Sequence, residues 1–167
     1  ESWSLEDGII REGAHAIDQG VGVRAVSGEK TGFAYSDELA IPALKNAANA
    51  ARAITQQGQD RAIQIAPSAP VAALYSNEDP LSSLDTAAKL DLMKSLDKRV
   101  RDADSRVREV IVSLSGRHSS VLVAASDGVL GADQRPLVRL NVSVIVEHEG
   151  RRESASFGGG GRTGYEC

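Results

Sequence analysis

A chain of 167 residues with 41% hydrophobic and 25% charged side chains has the composition of one globular domain with an ordinary core. The formal net charge of −4 argues against nucleic-acid binding, because phosphate neutralisation by Lys and Arg supplies most of the affinity of nucleic-acid-binding proteins. The single cysteine, Cys167, excludes an intrachain disulfide and fits a reducing cytoplasm, and no apolar run approaches the roughly 20 residues of a membrane span.

Turn residues divide the first third of the chain into four short predicted strands. Asp7-Gly8 is a two-residue hairpin signal between strands at 2–5 and 9–11. A second hairpin is predicted from the alternation at 20–26, followed by Ser27-Gly28-Glu29-Lys30 and a strand at 31–35. Because no crossover segment separates the four strands, we expect them to pair antiparallel.

Two helices are predicted next. In the first, apolar residues recur every three or four positions from Leu44 to Ile54, and Gly58 is the expected stop. The connection at 59–77 is expected to be extended, with a strand at 71–74. The second helix is predicted to begin after Pro80 with a capping box of Ser82 and Asp85. Its predicted apolar face consists of Leu84, Ala88, Leu92, Leu96, Val100 and Ala103.

Strands dominate the rest of the chain. Alternating patterns predict strands at 110–115, 120–125, 138–146 and 151–157, with turns at Asp127-Gly128 and Glu149-Gly150. The order of strands, two helices and strands predicts an α+β fold with a mainly antiparallel sheet and two helices packed on one face. We expect residues 1–167 to form one domain.

Several residues invite a catalytic or binding interpretation that their context does not favour. Gly28-Glu29-Lys30-Thr31 lacks the Gly-Lys pair of a phosphate-binding loop and precedes a strand, so we expect a hairpin turn. The histidines His15, His118 and His148 lack the spacing of zinc ligands. Ser113 and Ser115 with His118 have no nucleophile elbow, and Cys167 has no basic neighbour in sequence. We therefore predict no catalytic residue and no metal ligand in this chain.

The run of four glycines, Gly158, Gly159, Gly160 and Gly161, followed by Arg162, is the most unusual segment. One interpretation is a flexible linker to a further domain. The other is a backbone surface that a second chain can approach closely, with Arg162 offering its planar guanidinium to a carboxylate. Phe157 and Tyr165 flank the run and favour an anchored segment. These five residues are the predicted substrate-binding site.

Several segments resemble the amino-terminal domain of the TldD–PmbA family of zinc metallopeptidases, also described as modulators of DNA gyrase. The two longest are 18–25 with 27–35, and Gly158 to Arg162 followed by Gly164-Tyr165-Glu166. Arg135-Pro136-Leu137-Val138-Arg139-Leu140 and the shorter segments 113–116 and 127–128 follow the same order.

The resemblance implies a cytoplasmic parent protein that degrades unfolded peptides and matures peptide antibiotics, paired with a paralogous PmbA/TldE subunit or with itself. It also implies zinc bound in a carboxy-terminal domain, and a family segment preceding Glu1, both beyond this sequence. We expect this chain to supply a substrate channel and a partner surface. The alternative is a free-standing protein-interaction module linked to gyrase or to a toxin–antitoxin pair, and a weaker one is a small-molecule site between sheet and helices.

Overall fold

The computed structural model describes residues 1–55, 74–75 and 78–165. These residues fall into two compact units: 1–15 together with 74–75 and 78–165, and 16–55. In chain order the elements are β1 (Ser2–Glu6), β2 (Ile9–Ala14), β3 (Val21–Ser27), β4 (Lys30–Ser36), α1 (Ile41–Thr55), a 3₁₀ turn (Pro80–Ser82), α2 (Thr86–Ala103), β5 (Val107–Ala124), β6 (Leu130–His148) and β7 (Arg151–Gly161). None of the described helices combines the length and the apolar character that crossing a membrane requires.

The larger unit is an antiparallel five-stranded sheet in the order β2-β1-β5-β6-β7. The tight turns form where the sequence predicts them. Asp7 and Gly8 have φ of 50° and 76°, and Glu149 and Gly150 have 50° and 77°, which is the pair of positive φ values that a type I′ two-residue hairpin requires. Helix α2 packs on β5, and the core contains Leu5, Met93, Val110, Val112 and Leu114.

The predicted strands at 110–115 and 120–125 are one continuous strand, so the expected return between them is wrong. Gly116 lies within β5 and pairs with Val138 of β6. A Cβ atom at this position would lie only 2.0 Å from the hydroxyl of Tyr165. Glycine is therefore present because another side chain packs directly on the strand, and no turn is needed to explain it.

Helix α2 begins later than the capping box predicts. Asp85 is itself the N-cap, and its Oδ1 accepts a 2.7 Å hydrogen bond from the N–H of Ala88. Ser82 lies in the preceding 3₁₀ turn, which Asp79 caps. The most buried row of α2 is Lys89, Met93 and Asp97. The predicted apolar row is displaced by one position from this buried row. Its members are half-buried, except Ala103, which is exposed.

The smaller unit consists of the β3–β4 hairpin and α1. Ala47 and Ala51 of α1 are buried, and the carbonyl oxygen of Ala51 lies against Gly32. The buried face of α1 is narrower than the predicted apolar stripe, since Ala48 is exposed and Ile54 is 56% exposed. A two-stranded hairpin covers only part of a helix face, which explains the difference. Gly58 and residues 71–73 of the predicted strand lie outside the described residues.

The α+β class is confirmed. The described residues form two helices and seven strands, and every observed strand pair is antiparallel. Of the four amino-terminal strands, β1 pairs with β2 and β3 pairs with β4, while β2 and β3 belong to different sheets. Each helix packs on one face of its own sheet.

Candidate functional site

Strand β7 is one edge of the five-stranded sheet. Its inner edge pairs with β6 from Val138↔Gly161 to His148↔Arg151, and its outer edge has no strand partner among the described residues. Ten of its residues are exposed and Gly161 is half-buried. In an antiparallel ladder every second residue of an edge strand points both its N–H and its C=O away from its neighbour. An unpaired edge of this length is a template for pairing with another extended chain.

The glycine run forms the end of this edge strand, so the linker interpretation of Gly158 to Gly161 is wrong for the described structure. Its members differ in what surrounds them. A Cβ at Gly158 would lie 2.0 Å from Oδ1 of Asn141, and one at Gly160 would lie 2.2 Å from the carbonyl oxygen of Val138. A Cβ at Gly159 would meet nothing within 4 Å. Gly158 and Gly160 are thus required for close pairing with β6, whereas Gly159 leaves open space on the opposite face.

That open space belongs to an apolar groove of about 500 Å³ between α2, β6 and β7. Its floor is formed by side chains of β6 and by Phe157 and Gly159, while α2 provides one wall. The lining residues are Leu92, Leu96, Leu114, Val138, Arg139, Leu140, Val142, Phe157, Gly158, Gly159, Gly160 and Tyr165. The volume lies within the roughly 300–1,000 Å³ range of small-ligand pockets.

The groove exists because α2 covers only part of the sheet. The helix packs on β5, so the same face of β6 and β7 is left partly uncovered. Leu92 and Leu96 lie beside the most buried row of α2 and line the groove, and Leu96 also packs against the core. Phe157 is 85% exposed, so its predicted role as an anchor is wrong. Apolar side chains on both sides of the groove therefore remain without a covering partner among the described residues.

Tyr165 closes one end of the groove and is held by a buried polar cluster. Its hydroxyl donates a 3.0 Å hydrogen bond to Oε1 of Glu1, and its N–H donates a 2.8 Å bond to Oγ of Ser83. Lys89 Nζ lies 2.6 Å from the same Glu1 oxygen and 5.0 Å from the centre of the Tyr165 ring. Burial, reinforced by the hydrogen bond to Glu1, raises the pKa of Tyr165 well above its ordinary value. Tyr165 is thus the anchored residue of this segment.

Arg162 follows β7 directly and is exposed. Its guanidinium lies 4.9 Å from the centre of the Tyr75 ring, a cation–π geometry. The groove lining includes Gly158, Gly159 and Gly160 of the predicted site, but neither Gly161 nor the side chain of Arg162. The sequence pattern missed Leu92 and Leu96 as site residues because their helical spacing is equally typical of a core stripe.

Within residues 1–55, 74–75 and 78–165, no group of three or more His, Cys, Asp or Glu side chains is arranged to hold a metal ion. His118 Nδ1 is 3.7 Å from Asp79, and His148 Nε2 is 3.8 Å from Glu149. Ser113 and Ser115 alternate with the buried residues of β5 and lie on the opposite face from His118. These residues do not fit a zinc centre or a nucleophile–base pair.

Two family descriptions match the chain. Residues 79–167 match the PmbA/TldA metallopeptidase central domain, and residues 1–55 match domain 1 of the same family. A metalloprotease TldD homolog of Haemophilus influenzae is 50% identical over 171 aligned residues, covering 99% of this chain and 35% of the relative. A homolog with the same name from Buchnera aphidicola (subspecies Schizaphis graminum) is 44% identical and is covered to 34%. The chain thus spans about a third of these relatives.

Solved structures have the same fold at low sequence identity. A Bacteroides thetaiotaomicron protein whose name refers to modulation of DNA gyrase superposes with a TM-score of 0.74 at 18% identity, over 97% of this chain and 38% of its own. TldE from Thermococcus kodakarensis superposes with a TM-score of 0.64 at 14% identity, over 96% of this chain and 37% of its own. With the match of the central domain to more than half of the chain, these findings show that the chain belongs to the PmbA/TldD family of metallopeptidases.

Proposed function

We propose that the parent protein is a cytoplasmic zinc peptidase that cleaves unfolded peptides and matures peptide antibiotics, and that this chain binds peptide and partner without carrying out the chemistry. The open edge of β7 supports this proposal most strongly. Backbone hydrogen bonds to a sheet edge supply affinity with little dependence on side chains. A peptidase that accepts many unfolded sequences needs this kind of recognition.

The proposed binding surface consists of β7, with Gly158, Gly159, Gly160 and Gly161 at its end. Glycine leaves the carboxy-terminal part of the edge bare, so an incoming backbone meets no side chain there. Arg162 lies directly beyond and carries an exposed positive charge. We assign Arg162 to the carboxylate end of a bound peptide, at a distance from the groove.

Zinc is proposed to be held by a carboxy-terminal domain outside this chain. The described residues do not provide a set of metal ligands, and the family relatives are about three times as long as this chain. Zinc in such a site activates a water molecule and polarises a carbonyl group. In this division of labour the chain positions the peptide and the further domain supplies the reaction.

The proposed partner is a paralogous PmbA/TldE subunit or a second copy of the parent protein. Exposed apolar side chains on the hairpin of the smaller unit support an interface, since Val26 is 61%, Phe33 61% and Tyr35 64% exposed. These three side chains alternate with residues that face α1, so they lie on the uncovered side of the β3–β4 hairpin.

The test compares the full-length protein with the 167-residue chain. Both are purified, analysed for bound metal and incubated with an unstructured peptide and with a stably folded protein. We expect the full-length protein to contain zinc and to cleave only the unstructured peptide, while the chain contains no tightly bound metal and cleaves neither. Cleavage by the 167-residue chain, or a full-length protein without peptidase activity, contradicts the proposal.

A further inference from the structure

We propose that the groove between α2, β6 and β7 receives every second side chain of a bound peptide, so that the site prefers extended segments in which alternate residues are large and apolar. This inference rests on the proposed function, because it requires that the peptide pairs with the outer edge of β7. It adds a pattern of side-chain selection to recognition that otherwise depends on the backbone alone.

The register of β7 determines which face a new strand would present to the groove. Phe157 pairs with Val142 and Gly159 pairs with Leu140, so these four residues lie on the face of the sheet that α2 partly covers. Residues directly opposite each other in a ladder point to the same face. A peptide added beyond β7 would therefore place every second side chain beside Phe157 and Gly159, above the apolar floor.

Space and chemistry at this face suit apolar side chains. A Cβ at Gly159 meets nothing within 4 Å, and this empty volume joins the groove. Phe157 is 85% exposed and is positioned to pack against an incoming side chain. Leu92 and Leu96 of α2 form the facing wall. An occupant with large apolar groups would remove all of these surfaces from water, which is the main source of favourable free energy in such contacts.

The opposite face of β6 and β7 carries small and polar residues near the glycine run. There Asn141 pairs with Gly158 and Ser143 pairs with Ser156, and Gly160 pairs with Arg139. Side chains of a bound peptide that point to this face would meet small or polar groups. Selection is therefore confined to alternate positions, and the intervening positions are free to vary.

The preferred segments are those that are buried in folded proteins. Strict alternation of apolar and polar residues is typical of half-buried β-strands, whose apolar side chains are inaccessible in the native state. A site that requires both an unpaired backbone and alternate apolar side chains recognises such segments only when they are unfolded. The groove would thus favour unfolded chains by their exposed apolar side chains. This selection adds to the requirement that the backbone be free to pair with the edge of β7.

The test uses two fluorescein-labelled peptides of identical composition. Each has a central segment of eight residues flanked by polar residues for solubility. In the first, Leu and Thr alternate; in the second, they follow each other in pairs, so that both faces of an extended chain carry Leu equally. Binding to the full-length protein is measured by fluorescence anisotropy in the presence of a metal chelator, which prevents cleavage. We expect the alternating peptide to bind about tenfold more tightly, which corresponds to about 1.4 kcal/mol.

Matched glycine variants locate the selection. Gly159→Leu fills the groove from its floor, and Gly131→Leu places the same side chain in the distant part of β6, where a Cβ also meets nothing within 4 Å. We expect the ratio of the two dissociation constants to fall to about one in Gly159→Leu and to stay near ten in Gly131→Leu. Phe157→Ser changes a side chain outside the core and is expected to lower the same ratio, which keeps the test valid if Gly159→Leu fails to fold.

Each outcome separates this inference from the proposed function. If both peptides bind with equal affinity, or if Gly159→Leu and Phe157→Ser leave the ratio near ten, the inference is wrong, and this result does not by itself contradict pairing with β7. If neither peptide binds to the full-length protein, pairing with β7 is wrong and the inference fails with it.

Discussion

Gly160 tests most directly whether β7 pairs with β6 as described. In Gly160→Ala the new Cβ would lie 2.2 Å from the carbonyl oxygen of Val138 and 2.9 Å from Cα of Arg139. Carbon–oxygen contacts of this type are ordinarily about 3.3–3.6 Å. The two strands must therefore separate locally by about 1 Å, and the obstacle is backbone, which cannot rotate away as a side chain can.

The loss of stability in Gly160→Ala has two contributions. Forcing an extra carbon into a packed region costs about 1–3 kcal/mol, and each weakened ladder hydrogen bond costs about 1 kcal/mol more. At Gly159 the same substitution meets open space and gains about 0.4–1 kcal/mol by restricting the unfolded chain. We expect Gly160→Ala to be less stable than Gly159→Ala by about 3 kcal/mol, or about 6–12 °C in Tm for a chain of this size.

The two variants of the 167-residue chain are compared by thermal and urea unfolding. Because an edge strand can open without global unfolding, hydrogen exchange of the β7 amides is measured in parallel. Gly160→Ala should melt earlier, exchange faster in β7, or both. If the two variants have the same Tm and the same exchange rates in β7, the described register of the glycine run is wrong.

Three further predictions concern residues that do not themselves line the groove. Lys89→Met leaves the Glu1 carboxylate without its 2.6 Å partner and should lower the free energy of unfolding by about 3–5 kcal/mol. The control Lys98→Met removes an exposed ion pair and should change the free energy of unfolding by less than about 1 kcal/mol. Similar urea midpoints for the two variants would contradict this prediction. Asp85→Ala removes the N-cap of α2 and should cost about 1 kcal/mol by urea unfolding, and an unchanged midpoint would contradict the assigned cap. Hydrogen bonds from Arg106 lower the pKa of Asp104 to about 2, so the associated stability is present above about pH 4 and lost as the pH falls towards 2. In Arg106→Gln the backbone N–H still donates to Asp104 but the guanidinium is gone, so the pKa of the Asp104 carboxyl in NMR spectra should rise above its wild-type value; an unchanged pKa would refute the assignment.

Local signals predicted the turns and the strand alternation because these depend on neighbouring residues. Asp7-Gly8 and Glu149-Gly150 adopt the positive φ values that their sequence favours. The continuity of β5 through Gly116 was not predicted, and the reason for this glycine is long-range: the hydroxyl of Tyr165, 49 positions later in the sequence, packs on it. A glycine that marks close packing and a glycine that marks a turn look the same in sequence.

Helix α2 shows why the site was only partly predictable. Its buried row contains Lys89 and Asp97, which a pattern of apolar residues assigns to solvent. Lys89 can be buried because its ammonium group pairs with the Glu1 carboxylate and donates a hydrogen bond to the carbonyl oxygen of Leu81. Glu1 is distant in sequence, and Leu81 lies in the 3₁₀ turn before the helix. The true contact face is therefore displaced from the leucine row, and Leu92 and Leu96 are left for the groove. The glycine run was recognised as unusual, but its pairing with β6 could be seen only in the fold.

Hydrogen exchange of the full-length protein, chelated to prevent cleavage and saturated with the alternating peptide, tests the central claim that β7 takes up an extended chain. The account predicts slower exchange in Arg151–Gly161 and no change in Ile9–Ala14, the strand at the other edge of the same sheet. Unchanged exchange in Arg151–Gly161 at saturating peptide, or equal protection of both edge strands, would contradict it.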